Sequence, residues 1–217
     1  MNPYSFVYNA PYGWYDFLGR EPRRALRLSF DTDSSARKDM KAYMKRALQD
    51  LEQLNDSLKK CCKEYKIGCD IDVFGSSRVD QPAPKDPPKG GYPRDEHFAD
   101  YAGQIEKDGT IPVTYTDSDQ GGGIVGAAGL GLPGAGVILS IGGGGYTVNA
   151  LTHELGHVGG FDGGTVDKFN GIEGYLTHYP DPSGTGIHNY DDVWVMARHG
   201  GGKVDQCLCE KLSGLAK

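Results

Sequence analysis

The chain is short of several things. Of 217 residues, 23 are Lys or Arg and 29 are Asp or Glu, giving a net charge of -6. No basic stripe interleaved with aromatics occurs, so a nucleic-acid partner is not expected. The Lys and Arg residues that are present cluster between Arg20 and Lys66, mostly on a helical stretch, and read as a solvated face. The first thirty residues lack a continuous apolar run, so no signal peptide is expected. Neither cysteine cluster has the CxxC spacing of a structural zinc site. The five cysteines are Cys61, Cys62, Cys69, Cys207 and Cys209, an odd number. They point to one or two disulfides joining Cys61-Cys62 to Cys207-x-Cys209 in an oxidising setting, with one thiol left over. Hydrophobic residues make up 38%, low but enough for one globular domain.

What is abundant is glycine, with 33 residues, which favours loops and turns over long helices. The richest tract is GGGIVGAAGLGLPGAGVILSIGGGG, residues 121–145. It contains a GxGxxG pattern from Gly129 to Gly134, but Pro133 interrupts it and a strand follows. A dinucleotide site is therefore rejected. No charge occurs between Asp119 and Glu154, so a membrane-inserting segment has to be weighed. Glycine gives such a segment poor transfer energy, and a membrane role is not favoured.

Alternation and spacing mark the elements. Residues 25–32 read as a strand. Asp33-Ser34-Ser35 supplies an N-cap, followed by a helix to about Tyr65. Its apolar stripe is Met40, Met44, Leu48, Leu51, Leu54 and Leu58. Strands are expected at Gly68–Phe74, Ile111–Asp117 and Val137–Ile141, with a proline-rich loop over 80–96. A helix is expected from Tyr146 to about Gly159, then a polar loop to Ile187, then a helix from Val204 to Ala216. The order implies an α+β domain with a twisted mixed sheet, a long N-terminal helix, an active-site helix and a C-terminal helix.

The chemistry concentrates in LTHELGHVGGFDGG, Leu151–Gly164. His153 and His157 are one helical turn apart and share a face. Together they can present two ring nitrogens to one Zn2+. Glu154 sits beside them, placed to take a proton from a zinc-bound water, whose pKa the metal lowers to about 7, and to pass it to a leaving amine. The competing reading is a pair of ordinary helix histidines. A catalytic zinc needs a third protein ligand. Position 163, ten residues after His153 and where a longer version of this motif carries a ligand, is a glycine, which leaves His97, His178, His188, His199 and Asp162.

The segment GIHNYDDVWVMARHGG, Gly186–Gly201, ranks them. It resembles the third-histidine-to-Met-turn segment of metzincin metallopeptidases. The resemblance ranks His188 first as the third metal ligand, before Asp162 and then His178, and gives Met196 as the methionine of a turn beneath the metal. Asp191 is three residues after His188, where it would fix a histidine tautomer or serve as a turn residue. Tyr190 is a candidate substrate or oxyanion contact. An insertion of about twenty-five residues, Asp162 to Ile187, departs from the family pattern; loop closure tolerates such lengths. The glycine tract would supply a strand edge bordering the cleft, on which an extended peptide pairs.

At the other end, NPYSFVYNAPYGWYDFLG, Asn2–Gly19, resembles the segment that closes Rhs/YD-repeat proteins. Asn2, Tyr4, Val7, Asn9, Pro11, Asp16, Leu18 and Gly19 carry the match. That resemblance implies an end segment or linker over 1–24 and a metallopeptidase domain over 25–217. It further implies a C-terminal toxin secreted or delivered to a target cell as part of a larger protein, acting on a protein or peptide substrate and paired with a cognate immunity protein. The alternatives are a peptidase that trims its own parent protein, a membrane-active toxin using the glycine tract, and an inactive binding module.

Overall fold

A computed structural model describes residues 23–78, 98–117, 129–131, 133–140, 149–160, 166–169, 172–176, 195 and 202–217. Its frame is a five-stranded sheet. Strand β1 runs Arg24–Thr32, β2 Ile71–Ser77, β3 Ile111–Thr116, β4 Gly129–Gly131 and β5 Val137–Ser140, in the order β2-β1-β3-β5-β4. The first four in that order pair in parallel, and β4 alone is antiparallel, at the edge on β5. The expected mixed sheet is therefore present. Arg24, at the end of the expected linker, opens β1.

Parallel neighbours require crossovers. Helix α1, Met40–Tyr65, makes the one between β1 and β2. The helix starts later than the sequence suggested. Asp33 does cap, but it caps a preceding turn: its Oδ1 accepts from the Ala36 amide at 3.0 Å and from Ser35 Oγ at 2.6 Å. A single 3-10 turn, Arg37–Asp39, follows, and the N-cap of α1 is Asp39.

The buried face of α1 also differs from the expected stripe. Met44, Leu54 and Leu58 are buried, but so are Tyr43, Ala47, Asp50, Ser57 and Cys61, while Leu48 is 44% exposed. Polar groups enter this face because each finds a partner. Tyr115 Oη donates to Asp50 Oδ2 at 2.6 Å, Arg46 pairs with the other Asp50 oxygen, and Ser57 Oγ donates to the Gln53 carbonyl.

Helix α2 is Phe98–Ala102, α3 is Ala150–Val158 and α4 is Gln206–Leu215. α1 lies against β1 and β2, α3 against β4 and β5, and the three helices α1, α3 and α4 touch one another. Leu26, Leu28 and Phe30 of β1, Ile111, Val113 and Tyr115 of β3, and Val137 and Leu139 of β5 are laterally aligned on one face. They form a single core with Leu151, Leu155, Leu208 and Leu212.

Three differences from the sequence reading have local causes. β2 begins at Ile71 rather than Gly68, because Gly68 adopts φ +70 in a turn and Cys69 is bonded to Cys62. The expected polar loop after the motif contains an antiparallel hairpin, β6 Val166–Phe169 and β7 Ile172–Leu176. α2 carried no period long enough to be read.

Two disulfides form, Cys61–Cys209 and Cys62–Cys69, and Cys207 is exposed outside both. The first joins α1 to α4 across 148 residues, the end-to-end link expected; the second is a local link the sequence reading did not assign. Among the described residues, no helix is long and apolar enough to cross a membrane.

Candidate metal centre on the motif helix

Helix α3 is short, nine residues, and at that length it depends on packing rather than propensity. Leu151 and Leu155, four apart, are fully buried, and Val158 continues their stripe. Each such side chain contributes about 2 kcal/mol of apolar burial. The opposite face carries His153 and His157, both half-buried. Their ring centroids are 5.1 Å apart with planes at 68°. The spacing of one turn therefore does bring both imidazoles to one place.

The orientation of His153 is set from outside the helix. Its Nδ1 lies 2.9 Å from the Val195 carbonyl oxygen. A carbonyl only accepts, so Nδ1 carries the proton and donates, which leaves the Nε2 lone pair for a metal. Val195 is itself fixed: it is fully buried and its amide donates to the Lys203 carbonyl at 2.8 Å. The chain around Lys203 is tied back to α1, where Lys60 Nζ donates to the Gly202 carbonyl at 2.7 Å and Tyr65 Oη to the Val204 carbonyl at 3.3 Å.

Glu154 points to the other side, towards β4. It is buried, 7% exposed. Burial pushes its carboxyl up to about 8, opposed by a hydrogen bond from the Gly131 amide. Strand β4 can approach so closely because residue 131 is glycine. A Cβ there would overlap the Glu154 carbonyl oxygen and press on Val158 Cγ2 at 3.2 Å.

The two ends of α3 are held by neighbours. At the start, Asn149 has φ +73 and its amide donates to Gln53 Oε1 of α1 at 3.0 Å. At the end, Gly159 packs on α4, where a Cβ would come within 2.8 Å of the Lys211 carbonyl oxygen. Gly160, at φ +82, turns the chain away.

Of the residues singled out in the sequence, the fold thus brings together His153 and His157, while Glu154 on the same helix is turned towards β4. His188, Met196, Asp162, His178, Asp191 and Tyr190 lie outside the described residues, as does the Rhs-like stretch Asn2–Gly19. Among the described residues, no group of three or more His, Cys, Asp or Glu converges on a metal position. Sequence reasoning missed Gly131, Gln53, Asn149 and Val195. Val195 left one trace, its place immediately before Met196. No protein-family model matches the chain, and no curated protein matches it significantly.

Proposed function

We propose that this chain is a zinc-dependent endopeptidase of metzincin type. The observation that carries the reading is the pair of adjacent imidazoles with His153 Nδ1 committed to the Val195 carbonyl. Two nitrogens on one helix face, one of them with a fixed tautomer, are two of the three protein donors that a catalytic zinc takes. The metzincin part rests on where Val195 sits. Its neighbour in sequence is Met196, the methionine that the resemblance assigns to the turn beneath the metal, and Val195 reaches the first histidine directly. The antiparallel edge strand β4 runs beside Glu154, which suits an extended substrate pairing along a cleft.

His153, His157 and His188 would hold the ion. When bound, zinc would polarise the scissile carbonyl and acidify water to a pKa of about 7. Glu154 would take a proton and deliver it to the leaving amine nitrogen. Its burial matters here. A carboxylate short of solvent has a high proton affinity, and the Gly131 amide orients the Glu154 carboxyl. A nearby dication favours the charged form and would bring Glu154 back to a working base.

The two disulfides support action in an oxidising compartment, in line with a secreted or delivered toxin domain of an Rhs-like protein. Its substrate would be a protein segment of the target cell, and its producer would need an immunity protein.

The test is elemental analysis together with hydrolysis of an unfolded protein substrate. Wild type should hold about one zinc per chain, the stoichiometry of a catalytic site. Glu154→Gln should keep the zinc and lose about 100- to 10,000-fold of kcat, the contribution of a general base. Chelation should abolish hydrolysis. Zinc lost in His188→Ala, and retained in Asp162→Ala and His178→Ala, would establish the third ligand. Wild type that takes up no zinc would end this reading, and liposome leakage by Glu154→Ala would favour a membrane-active toxin instead.

A further inference from the structure

The sequence of α1 places Gln53 one turn from Asp50 and Ser57, on the face turned to the rest of the fold. A glutamine there needs a partner, and it has an unusual one. Its Oε1 accepts from the amide of Asn149 at 3.0 Å. Asn149 is 7% exposed and adopts φ +73 without being a glycine. That conformation is disfavoured for residues with a Cβ and persists only where the surroundings enforce it. A buried amide without an acceptor would add its own penalty. Gln53 removes that penalty and selects the left-handed form.

The bond continues into the site. The Asn149 carbonyl accepts from the His153 amide at 3.0 Å, and His153 Nδ1 donates to the Val195 carbonyl at 2.9 Å. A line of hydrogen bonds thus runs from the side chain of Gln53, through the first turn of α3, to the imidazole and its support. Leu151 and Leu155 hold the apolar face of α3, and Gly159 packs its far end on α4. Gln53 is the side chain of α1 shown to grip the end from which His153 projects.

We propose that Gln53 is a positioning residue for the metal-ligating face of α3: by fixing Asn149 it holds the His153 ring on the Val195 carbonyl, with Nε2 presented to a metal. The inference rests on the zinc reading above only for its functional consequence. The placement of the ring can be measured without metal.

The experiment compares Gln53→Met, which keeps length but removes the acceptor, with Gln53→Glu, which keeps an acceptor. Nitrogen-15 NMR of the metal-free protein reports whether His153 Nδ1 holds a slowly exchanging proton. Competition with a chromophoric chelator gives the affinity for zinc. Gln53→Met is expected to lose the slow proton and to bind zinc about tenfold more weakly, the effect of losing a ligand's support. Gln53→Glu is expected to keep the slow proton and stay within about twofold of wild type, because the supporting bond survives. Should Gln53→Met fail to fold, Gln53→Asn withdraws the same amide by one methylene and must show the same two losses. An unchanged Nδ1 proton and unchanged zinc affinity, with only a lower Tm, would overturn the proposal and leave a bond that merely stabilises. If wild type binds no zinc, the peptidase reading falls, and the Nδ1 proton alone decides the role of Gln53.

Discussion

At its N-cap, α3 is held to α1 by a side-chain hydrogen bond, Gln53 to a left-handed Asn149. At its last turn it is wedged, backbone against backbone, on a helix that a disulfide ties to α1. The two ends carry different duties. His153 and its partner Val195 belong to the end held by Gln53, and His157 to the wedged one. Rigid packing stores stability, whereas a directional bond stores orientation, and under the proposed function α3 would need both.

The contrast breaks most severely if the wedge loses its staple. Removing the Cys61–Cys209 link in a Cys61→Ala/Cys209→Ala variant should cost about 4 kcal/mol, because the bond closes a long loop; urea unfolding measures it. Of similar size is a pH effect at Glu154 in metal-free protein. Its folded pKa is raised, so the folded state binds more protons than the unfolded state from about pH 4.5, the ordinary value, up to about 8. Stability should therefore be highest below that window and fall as pH rises through it, by on the order of 5 kcal/mol in total. Glu154→Gln should flatten the slope in thermal melts between pH 4.5 and 8.

Smaller effects sharpen the contrast. Gly131→Ala forces β4 off the Glu154 backbone and should cost about 2–3 kcal/mol by overpacking. Under the proposed function it should also depress hydrolysis more than it depresses folding, since the amide that holds the Glu154 carboxyl moves with the strand. Gly159→Ala at the wedge should cost about 1–2 kcal/mol, with zinc content retained. The smallest is Asn149→Gly, which adopts φ +73 freely. Its relief of strain is offset by the entropy of a more flexible unfolded chain, so Tm should move by the equivalent of about 0.5 kcal/mol or less. A large loss there would mean that the Asn149 side chain, and not the amide held by Gln53, secures that end.

Legibility followed the same division. Elements whose order comes from side-chain period were readable: β1, β3, β5, most of α1, and α4 within a residue or two at each end. So was the pairing of His153 and His157, because a 3.6-residue period fixes it. What escaped depended on backbone. β4 is Gly-Leu-Gly, and a strand that exists because glycine lets it press on Glu154 leaves no alternation to read. The hairpin β6–β7 lay in a segment whose polar composition masked it. The α1 face misled at Asp50 and Ser57, since their burial depends on partners from β3 and from the helix backbone that no local window contains. Val195 was invisible for a related reason: its role is played by a carbonyl oxygen, which every residue has.

The pairing of the cysteines also implies an order of events during synthesis. Cys62 and Cys69 are seven residues apart, so they meet soon after they emerge and can close early. That closure takes Cys62 out of competition and leaves Cys61 as the one thiol of the pair still waiting. Its partner arrives 148 residues later, as one of two cysteines on α4. The helix makes the choice, because Cys209 faces the core and Cys207 faces solvent. The long bond needs α4 beside α1, so a chain that carries it has assembled the wall against which the motif helix ends.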